Sequence, residues 1–266
     1  MYKNILFIKK LILKINENEI LPLATQLTYK LIFSIFPFII FLISLIGFFN
    51  IETQFLIDEI YIALPYEIAK VIDNVISETV VRRPNLLSLS LVFSIYTISG
   101  SFRSAQHGIS KVYEQKNKRH FFLQAAYSIL LTLIMSFTIL VSMIFLIYGE
   151  VLHNFISAHL ISHTFIDLAF GFLGYAIAIC LMLFSIILIY KVSLNTKKSF
   201  KNLLPGTIFT LLIWVLASVL FSIYVSNFSR YPLIYGSIAS VFITMLWLNI
   251  ISITLLIGAQ INAMLR

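Results

Sequence analysis

Long apolar runs recur along this chain of 266 residues, and no other feature limits its fold as strongly. A helix needs about 20 mainly apolar residues to cross the hydrocarbon core of a bilayer. Several runs of this length in one chain are typical of a membrane protein and not of a soluble domain. Hydrophobic residues make up 60% of the chain and charged residues 11%, whereas roughly a quarter of the residues in a soluble domain are charged. The sequence therefore predicts an all-α, polytopic membrane helix bundle.

The apolar runs predict six transmembrane helices. Their approximate bounds are 27–49, 85–98 with a polar continuation, 121–149, 165–190, 204–225 and 237–263. The second run is short, so it either crosses the membrane with its polar face against protein or is re-entrant. Charge favours crossing, because the loop before this run is acidic on balance and the segment after it is basic.

The basic residues predict the orientation of the bundle. Fourteen of the 19 Lys and Arg residues fall in the two termini and in the second-to-third and fourth-to-fifth connections, and four fall in the alternate loops. By the positive-inside rule, both termini are cytoplasmic. The net charge of +8 could also indicate nucleic-acid binding, but loop position explains it, and we expect no nucleic-acid partner.

Two segments are predicted to be amphipathic and interfacial. Residues 1–26 form a cytoplasmic amphipathic segment ahead of a six-span membrane domain, residues 27–263, because isoleucines share one helix face and lysines lie off it. A signal peptide is the alternative, but lysines interrupt its apolar core and no small-residue cleavage site follows. Residues 51–84 carry six acidic residues and a helical apolar stripe, which favours two short amphipathic helices or, in the first half, a solvated loop.

A stripe of small and hydroxylated residues marks the second span. Read at about 100° per residue, one face carries Ser90, Ser94, Thr97, Ser101, Ser104 and Gly108. Little hydrophobic force brings helices together in lipid, so small residues and hydroxyls mark a packed face. We expect this face inside the bundle, where it either lines a polar path or serves packing alone.

Polar residues of three other spans are candidates for the same path or interior. In the first span, Lys30, Ser34 and Pro37 share a face; Pro37 predicts a kink, and Lys30 is close enough to the interface to snorkel. The fifth and sixth spans contribute Ser218, Ser222, Asn249 and Gln260. Packing through hydrogen bonds is again the alternative to a path.

Residues suited to catalysis or metal binding are sparse. His159, His163 and Asp167 could share a helix face, but their spacing matches no known metal motif. A nuclease needs clustered carboxylates at the scissile phosphate, and the predicted cytoplasmic side has only three glutamates. We expect no enzyme activity, no cofactor and no metal. The only cysteine, Cys180, lies in an apolar run and is predicted to fill the core.

Five motifs, in order along the chain, resemble those of the YihY/BrkB family of bacterial inner-membrane proteins. They are Leu27–Pro37, Ser99–Tyr113, Leu204–Gly206, Tyr231–Ser237 and Trp247–Asn262. The resemblance implies a six-span bundle with cytoplasmic termini. Members were once labelled ribonuclease BN, a label since withdrawn, and links to serum resistance and envelope lipid handling have been proposed for relatives. The family's last motif usually reads Gly-Ala-Glu; Gln260 replaces the acid, so we expect no proton-carrying carboxylate there.

Taken with the residue patterns, this resemblance favours a transporter or translocator of a lipid or amphiphile in the bacterial envelope. Membrane lipids are the expected partners. A membrane scaffold or accessory protein is the alternative, since it would use the same hydroxyls for packing, and a membrane-bound nuclease is the least favoured function.

Overall fold

The computed structural model describes residues 2–48, 73, 84–115, 122–131, 133–134, 163–194, 199–227 and 232–265, and these residues are almost entirely helical, with no strand among them. The α-helices in chain order are α1 (Tyr2–Glu17), α2 (Ile20–Phe48), α3 (Pro84–Val112), α4 (Phe122–Leu131), α5 (His163–Ser193), α6 (Leu204–Asn227) and α7 (Pro232–Met264). A short 3-10 helix, Phe200–Leu203, leads into α6. The predicted all-α fold is confirmed.

Two described segments have the length and apolar composition of membrane spans, and both match predicted runs. They are Phe200–Tyr224 and Val241–Met264; shorter apolar helical segments cover Ile20–Ile35, Phe122–Leu131 and Ile179–Ser193. Helix α3 has 29 residues, about 43 Å at 1.5 Å per residue. It is one continuous helix, without the break that a re-entrant segment needs. The two amphipathic helices predicted between residues 51 and 84 lie outside the described residues, apart from Asp73.

Among the side chains that the structure describes, the buried core lies at one end of the bundle, which we call the core end. Helices α2 and α3 pack against each other, α7 contacts α2, α3 and α6, and α5 contacts α3 and α6. The core end joins the beginnings of α2 and α6 to the last turns of α3, α5 and α7, and its buried side chains include Ile20, Ile109, Tyr190, Leu203 and Leu256. Cys180 is exposed, so the prediction that it fills the core is wrong.

Helices α6 and α7 approach closely at two glycines. The amide N–H of Gly206 donates to Oδ1 of Asn262 at 2.6 Å, and Nδ2 of Asn262 donates to the carbonyl of Leu203 at 2.9 Å. A Cβ on Gly206 would lie 2.6 Å from the Asn262 side chain, and a Cβ on Gly258 would lie 2.7 Å from the Gly206 carbonyl oxygen. Only glycine permits this approach, which supplies partners for backbone groups at the start of α6.

Two glutamates with positive φ end α1 and α3 and join the two helices. Glu19 has φ 53° and Glu114 has φ 55°, the left-handed conformation common after a helix C-terminus. Each pairs with a lysine in the last turn of the other helix: Lys111 with Glu19, and Lys14 with Glu114 at 3.2 Å. We call these four residues the glutamate clasp. All four are solvent-accessible, so we expect each pair to add little stability.

The clasp shifts the titration of its charged groups. The hydrogen bond from Lys111 holds the pKa of Glu19 below its usual value. Hydrogen bonds to Glu17 and then to Glu114 raise the pKa of Lys14. Helix α1 is therefore held to α3 by charge at its C-terminal end, while its outer face exposes large apolar side chains: Ile5, Leu6, Ile8, Ile12 and Leu13.

Candidate functional site

An open pocket of about 240 Å³ lies where α2 and α3 meet at the surface of the bundle. Helix α2 contributes Tyr29, Lys30 and Phe33; helix α3 contributes Tyr96, Thr97, Gly100 and Arg103. The three aromatic side chains are between 57% and 69% exposed, so the pocket opens sideways from the bundle. We call it the α2–α3 pocket.

The α2–α3 pocket has a polar, cationic floor. Lys30 and Arg103 are both half-buried and line this pocket from two different helices. No acidic residue lines the pocket among the described residues. The hydroxyl of Thr97 donates to the carbonyl of Phe93 at 2.9 Å, so its oxygen lone pairs remain available as acceptors.

Aromatic and aliphatic side chains form the rim of this pocket. The rings of Tyr29 and Phe33 lie 4.7 Å apart between centroids and are tilted. On α3, four exposed large side chains continue from the rim at helical spacing: Tyr96, Phe93, Val92 and Leu89. The pocket therefore combines a charged floor with an apolar track that leads away from the core end.

A buried polar seam joins the helices next to the pocket. Ser94, 2% exposed, donates to the carbonyl of Pro37 at 2.6 Å and so ties α3 to α2. On α7, Nδ2 of Asn249 donates to Oγ1 of Thr28 at 3.2 Å. Helices α2 and α3 run antiparallel, so a contact further along α3 pairs with an earlier position of α2. Gly108 accordingly lies beside Leu23, near the core end.

A second polar cluster lies at the core end. The hydroxyl of Tyr190 contacts that of Thr210 at 2.8 Å and donates to the carbonyl of Leu255 at 2.8 Å, which links α5 to α6 and α7. Nδ2 of Asn18 donates to Oε1 of Gln260 at 2.7 Å, and both side chains are buried. These bonds satisfy polar groups that would otherwise be costly to bury.

The predicted interior residues that the structure describes lie in three settings: in the α2–α3 pocket, buried between helices, or exposed on the surface. Lys30 and Thr97 line the α2–α3 pocket. Four of the predicted serines of α2 and α3 are buried, none more than 5% exposed: Ser34, Ser94, Ser101 and Ser104. Ser34 donates to the carbonyl of Leu31, and Ser101 to that of Thr97. Ser90 lies in α3, but its side chain is outside the described part of the structure.

Ser218 and Ser222 require a correction. Both are exposed on α6 and do not lie in the bundle interior. Their spacing matched a packed face, but a helical serine can bond to the carbonyl one turn back and so tolerate an apolar surface. Asn249 and Gln260 face other helices as hydrogen-bonding partners, and neither lines the pocket.

Sequence reasoning missed Arg103, Tyr29, Phe33 and Tyr96 as pocket residues. Arg103 belongs to the basic segment that follows the predicted second span, but α3 continues for nine residues beyond it to Val112. The available signal was spacing, since Tyr96, Gly100 and Arg103 recur at helical intervals on one side of α3. Within the described ranges, no group of three or more His, Cys, Asp or Glu side chains could hold a metal ion.

Comparison with known proteins gives a consistent set of relatives. Residues 11–266 match the family described as "Virulence factor BrkB". The chain is 26% identical over 261 residues to the "ribonuclease-like protein YfkH" of Bacillus subtilis (strain 168), covering 98% of this chain and 95% of the relative. It is 25% identical over 256 residues to a "UPF0761 membrane protein" of Mannheimia succiniciproducens, covering 95% and 86%. No solved structure matches the chain.

The family match spans all the described helices apart from the beginning of α1, and it includes every pocket residue. The full-length relatives include proteins named as membrane proteins, in agreement with the composition and the two apolar spans. This chain is a membrane protein and belongs to the BrkB (YihY) family, a family of uncharacterised membrane proteins.

Proposed function

We propose that this protein is a multi-pass protein of the bacterial inner membrane that moves a lipid or another amphiphile between the membrane leaflets. It has six spans, with both termini in the cytoplasm. The distribution of basic residues supports this orientation, because fourteen of them fall on one predicted side and four on the other. Four of the described lysines lie at the core end: Lys14, Lys111, Lys191 and Lys201. In this orientation, the core end is therefore the cytoplasmic end.

The observation that carries the proposal is the lateral opening of the α2–α3 pocket. A solute carrier that takes its cargo from water needs a site reached from the aqueous phase, whereas a carrier of amphiphiles needs one reached from the bilayer. Here Tyr29, Phe33 and Tyr96 surround a floor that contains Lys30 and Arg103. Such a site offers polar contacts to a headgroup while the attached chains remain in lipid.

The hydroxyls of α3 give the headgroup further polar partners along the same helix. Thr97 lies at the pocket, and Ser94 and Ser101 lie about one turn away on either side. In this proposal, small movements of α2 against α3 expose these hydroxyls in turn. The Ser94 hydroxyl, which bonds to the Pro37 carbonyl in this structure, then exchanges that partner for the headgroup.

Reconstitution in vesicles tests the proposal. Purified protein is inserted into vesicles that contain a lipid with a fluorescent nitrobenzoxadiazole headgroup, and dithionite then quenches only the lipid of the outer leaflet. The wild type is expected to make the inner-leaflet lipid accessible to dithionite. The triple variant Ser94→Ala, Thr97→Val, Ser101→Ala is expected to be roughly tenfold to hundredfold slower, because each lost partner can cost a passing polar group about 1 to 3 kcal/mol.

The control is the double variant Ser218→Ala, Ser222→Ala, which removes hydroxyls from the exposed face of α6. It is expected to keep the wild-type rate. The triple variant is expected to fold, because interhelical hydroxyl bonds in membranes contribute only about 0.6 kcal/mol on average. A triple variant with the wild-type rate would count against a path along α3.

A scaffold or accessory function is the second candidate, and the buried hydrogen bonds favour it. Asn18 with Gln260 and Tyr190 with Thr210 use polar groups to fasten helices to one another. If the wild-type protein leaves the inner-leaflet lipid protected from dithionite, this second function replaces the first. The relative YfkH is named as ribonuclease-like, and nothing in the geometry of the described residues adds support for such an activity here.

A further inference from the structure

We propose that the α2–α3 pocket binds the phosphate of an anionic glycerophospholipid taken from the cytoplasmic leaflet. This inference deepens the proposed function and rests on its orientation of the bundle. It goes further by naming the chemical class of the headgroup, the residues that bind it and the leaflet that supplies it.

The two cations of the pocket fit an anion. Lys30 and Arg103 come from different helices, are both half-buried and line the pocket together. A phosphodiester between them attracts both cations. Arginine presents a planar fork of N–H donors that matches phosphate oxygens, and lysine supplies a compact ammonium group with three donors. The Thr97 oxygen, with its proton already given to the Phe93 carbonyl, can accept a hydrogen bond from a headgroup hydroxyl.

The depth of the pocket fits a lipid of the cytoplasmic leaflet. Lys30 lies ten residues from Ile20, at the start of α2, and Arg103 lies nine residues from Val112, at the end of α3. At 1.5 Å per residue, both lie about 15 Å or less from those helix ends, which is under half of the roughly 40–45 Å thickness of a bilayer with its headgroups. Because Cβ tilts toward the helix N-terminus, the Lys30 side chain leaves α2 toward the cytoplasmic end.

The surface of α3 beyond the pocket suits the acyl chains. Tyr96, Phe93, Val92 and Leu89 are 57% to 69% exposed and follow one another at helical spacing. They lead away from the core end, and therefore away from the cytoplasm. A lipid whose phosphate lies between the two cations would extend its chains along this track toward the bilayer centre. A soluble phosphate ester could use the cations but not the track.

Native mass spectrometry of the full-length protein tests this inference. The protein is exchanged into equal amounts of phosphatidylglycerol and phosphatidylcholine with identical acyl chains. The wild type is expected to retain phosphatidylglycerol preferentially. Lys30→Gln and Arg103→Gln are each expected to lower its occupancy roughly tenfold to hundredfold, because each removes a charge-assisted hydrogen bond. The low occupancy of phosphatidylcholine is expected to stay unchanged.

Two variants separate binding from general effects of charge. Lys30→Arg keeps a cation in the pocket and is expected to retain the preference for phosphatidylglycerol. Lys201→Gln removes an exposed basic residue at the core end and is expected to leave the preference intact. Melting curves check that the variants remain folded.

Two results would overturn the inference. The first is an unchanged preference for phosphatidylglycerol in a folded Lys30→Gln, Arg103→Gln double variant. The second is equal thermal stabilisation of the wild type by glycerol 3-phosphate and by phosphatidylglycerol, which would assign the cations to a soluble ligand. The dithionite assay tests transport separately. A protein that prefers phosphatidylglycerol but does not expose inner-leaflet lipid to dithionite would keep this binding site and contradict the proposed function. A protein that exposes inner-leaflet lipid but shows no lipid preference would keep the proposed function and contradict this binding site.

Discussion

Replacement of Gly258 by alanine is expected to force α6 and α7 apart. The new Cβ would lie 2.7 Å from the Gly206 carbonyl oxygen, whereas ordinary contact begins at 3.4 Å, an overlap of about 0.7 Å. It would also enter the space of the Tyr190 and Thr210 hydroxyls. Over-packing of this kind costs about 1 to 3 kcal/mol, and disturbance of the Tyr190 hydrogen bonds adds about 1 kcal/mol.

One favourable effect opposes this loss. Alanine in a helix is about 0.5 to 1 kcal/mol better than glycine. The net destabilisation is therefore about 1 to 3 kcal/mol, which corresponds to roughly 2 to 4 °C in Tm for each kcal/mol in a chain of this size. Thermal unfolding in a mild detergent, followed by intrinsic fluorescence, measures the shift directly.

Gly100 provides the matched control. It also lies inside a helix, but a Cβ there would approach nothing closer than the Arg103 guanidinium, at 3.9 Å. Gly100→Ala should leave Tm unchanged or raise it slightly through helix propensity alone. Equal shifts for Gly100→Ala and Gly258→Ala, or a stabilised Gly258→Ala, would refute the close approach of α6 and α7.

Three further predictions concern the polar contacts at the core end. Tyr190→Phe should lower the stability by about 1 to 2 kcal/mol, because its hydroxyl links three helices; thermal unfolding checks this, and an unchanged Tm would contradict it. Gln260→Leu should cost about 1 to 3 kcal/mol by leaving the buried Asn18 amide without its acceptor, and Gln260→Glu, which keeps an acceptor oxygen, should unfold at a higher temperature than Gln260→Leu. Because its pairing with Lys111 lowers the pKa of Glu19, this pairing contributes fully to stability above the ordinary glutamate pKa of 4.5 and is lost as the pH falls through the lower pKa of the folded state. Proteolysis of α1 should therefore accelerate in acid for the wild type. For Glu19→Gln, the rate of proteolysis should depend less on pH.

The sequence was sufficient to predict α6 and α7 because their apolar runs are long and are bounded by charge or proline. Helices α6 and α7 follow runs that no charged residue interrupts, and α3 follows a hydroxyl stripe whose inner positions, Ser94 and Ser101, are buried. These features depend on local composition and on a helical period, and both can be read from the amino-acid sequence alone.

The pocket could not be predicted in the same way, because it depends on which faces of two antiparallel helices meet. The contacts of Ser94 with Pro37 and of Gly108 with Leu23 set that register. Only then do Lys30 and Arg103 come together, although 73 positions separate them. The exposed Ser218 shows the converse limit, since hydroxyl spacing on α6 resembles that of α3, and the difference lies in the neighbouring helices.

Photocrosslinking at the pocket rim tests the central claim most directly. Benzoylphenylalanine replaces Tyr96 on α3 or, as a control, Val219 on the exposed face of α6, and mass spectrometry identifies the lipids captured in native membranes. We predict that position 96 captures phosphatidylglycerol in excess over its share of the membrane, that Arg103→Gln abolishes the excess, and that position 219 captures lipids in proportion to their abundance. The same lipid profile at both positions, with or without Arg103, would contradict a lipid-binding function for the α2–α3 pocket.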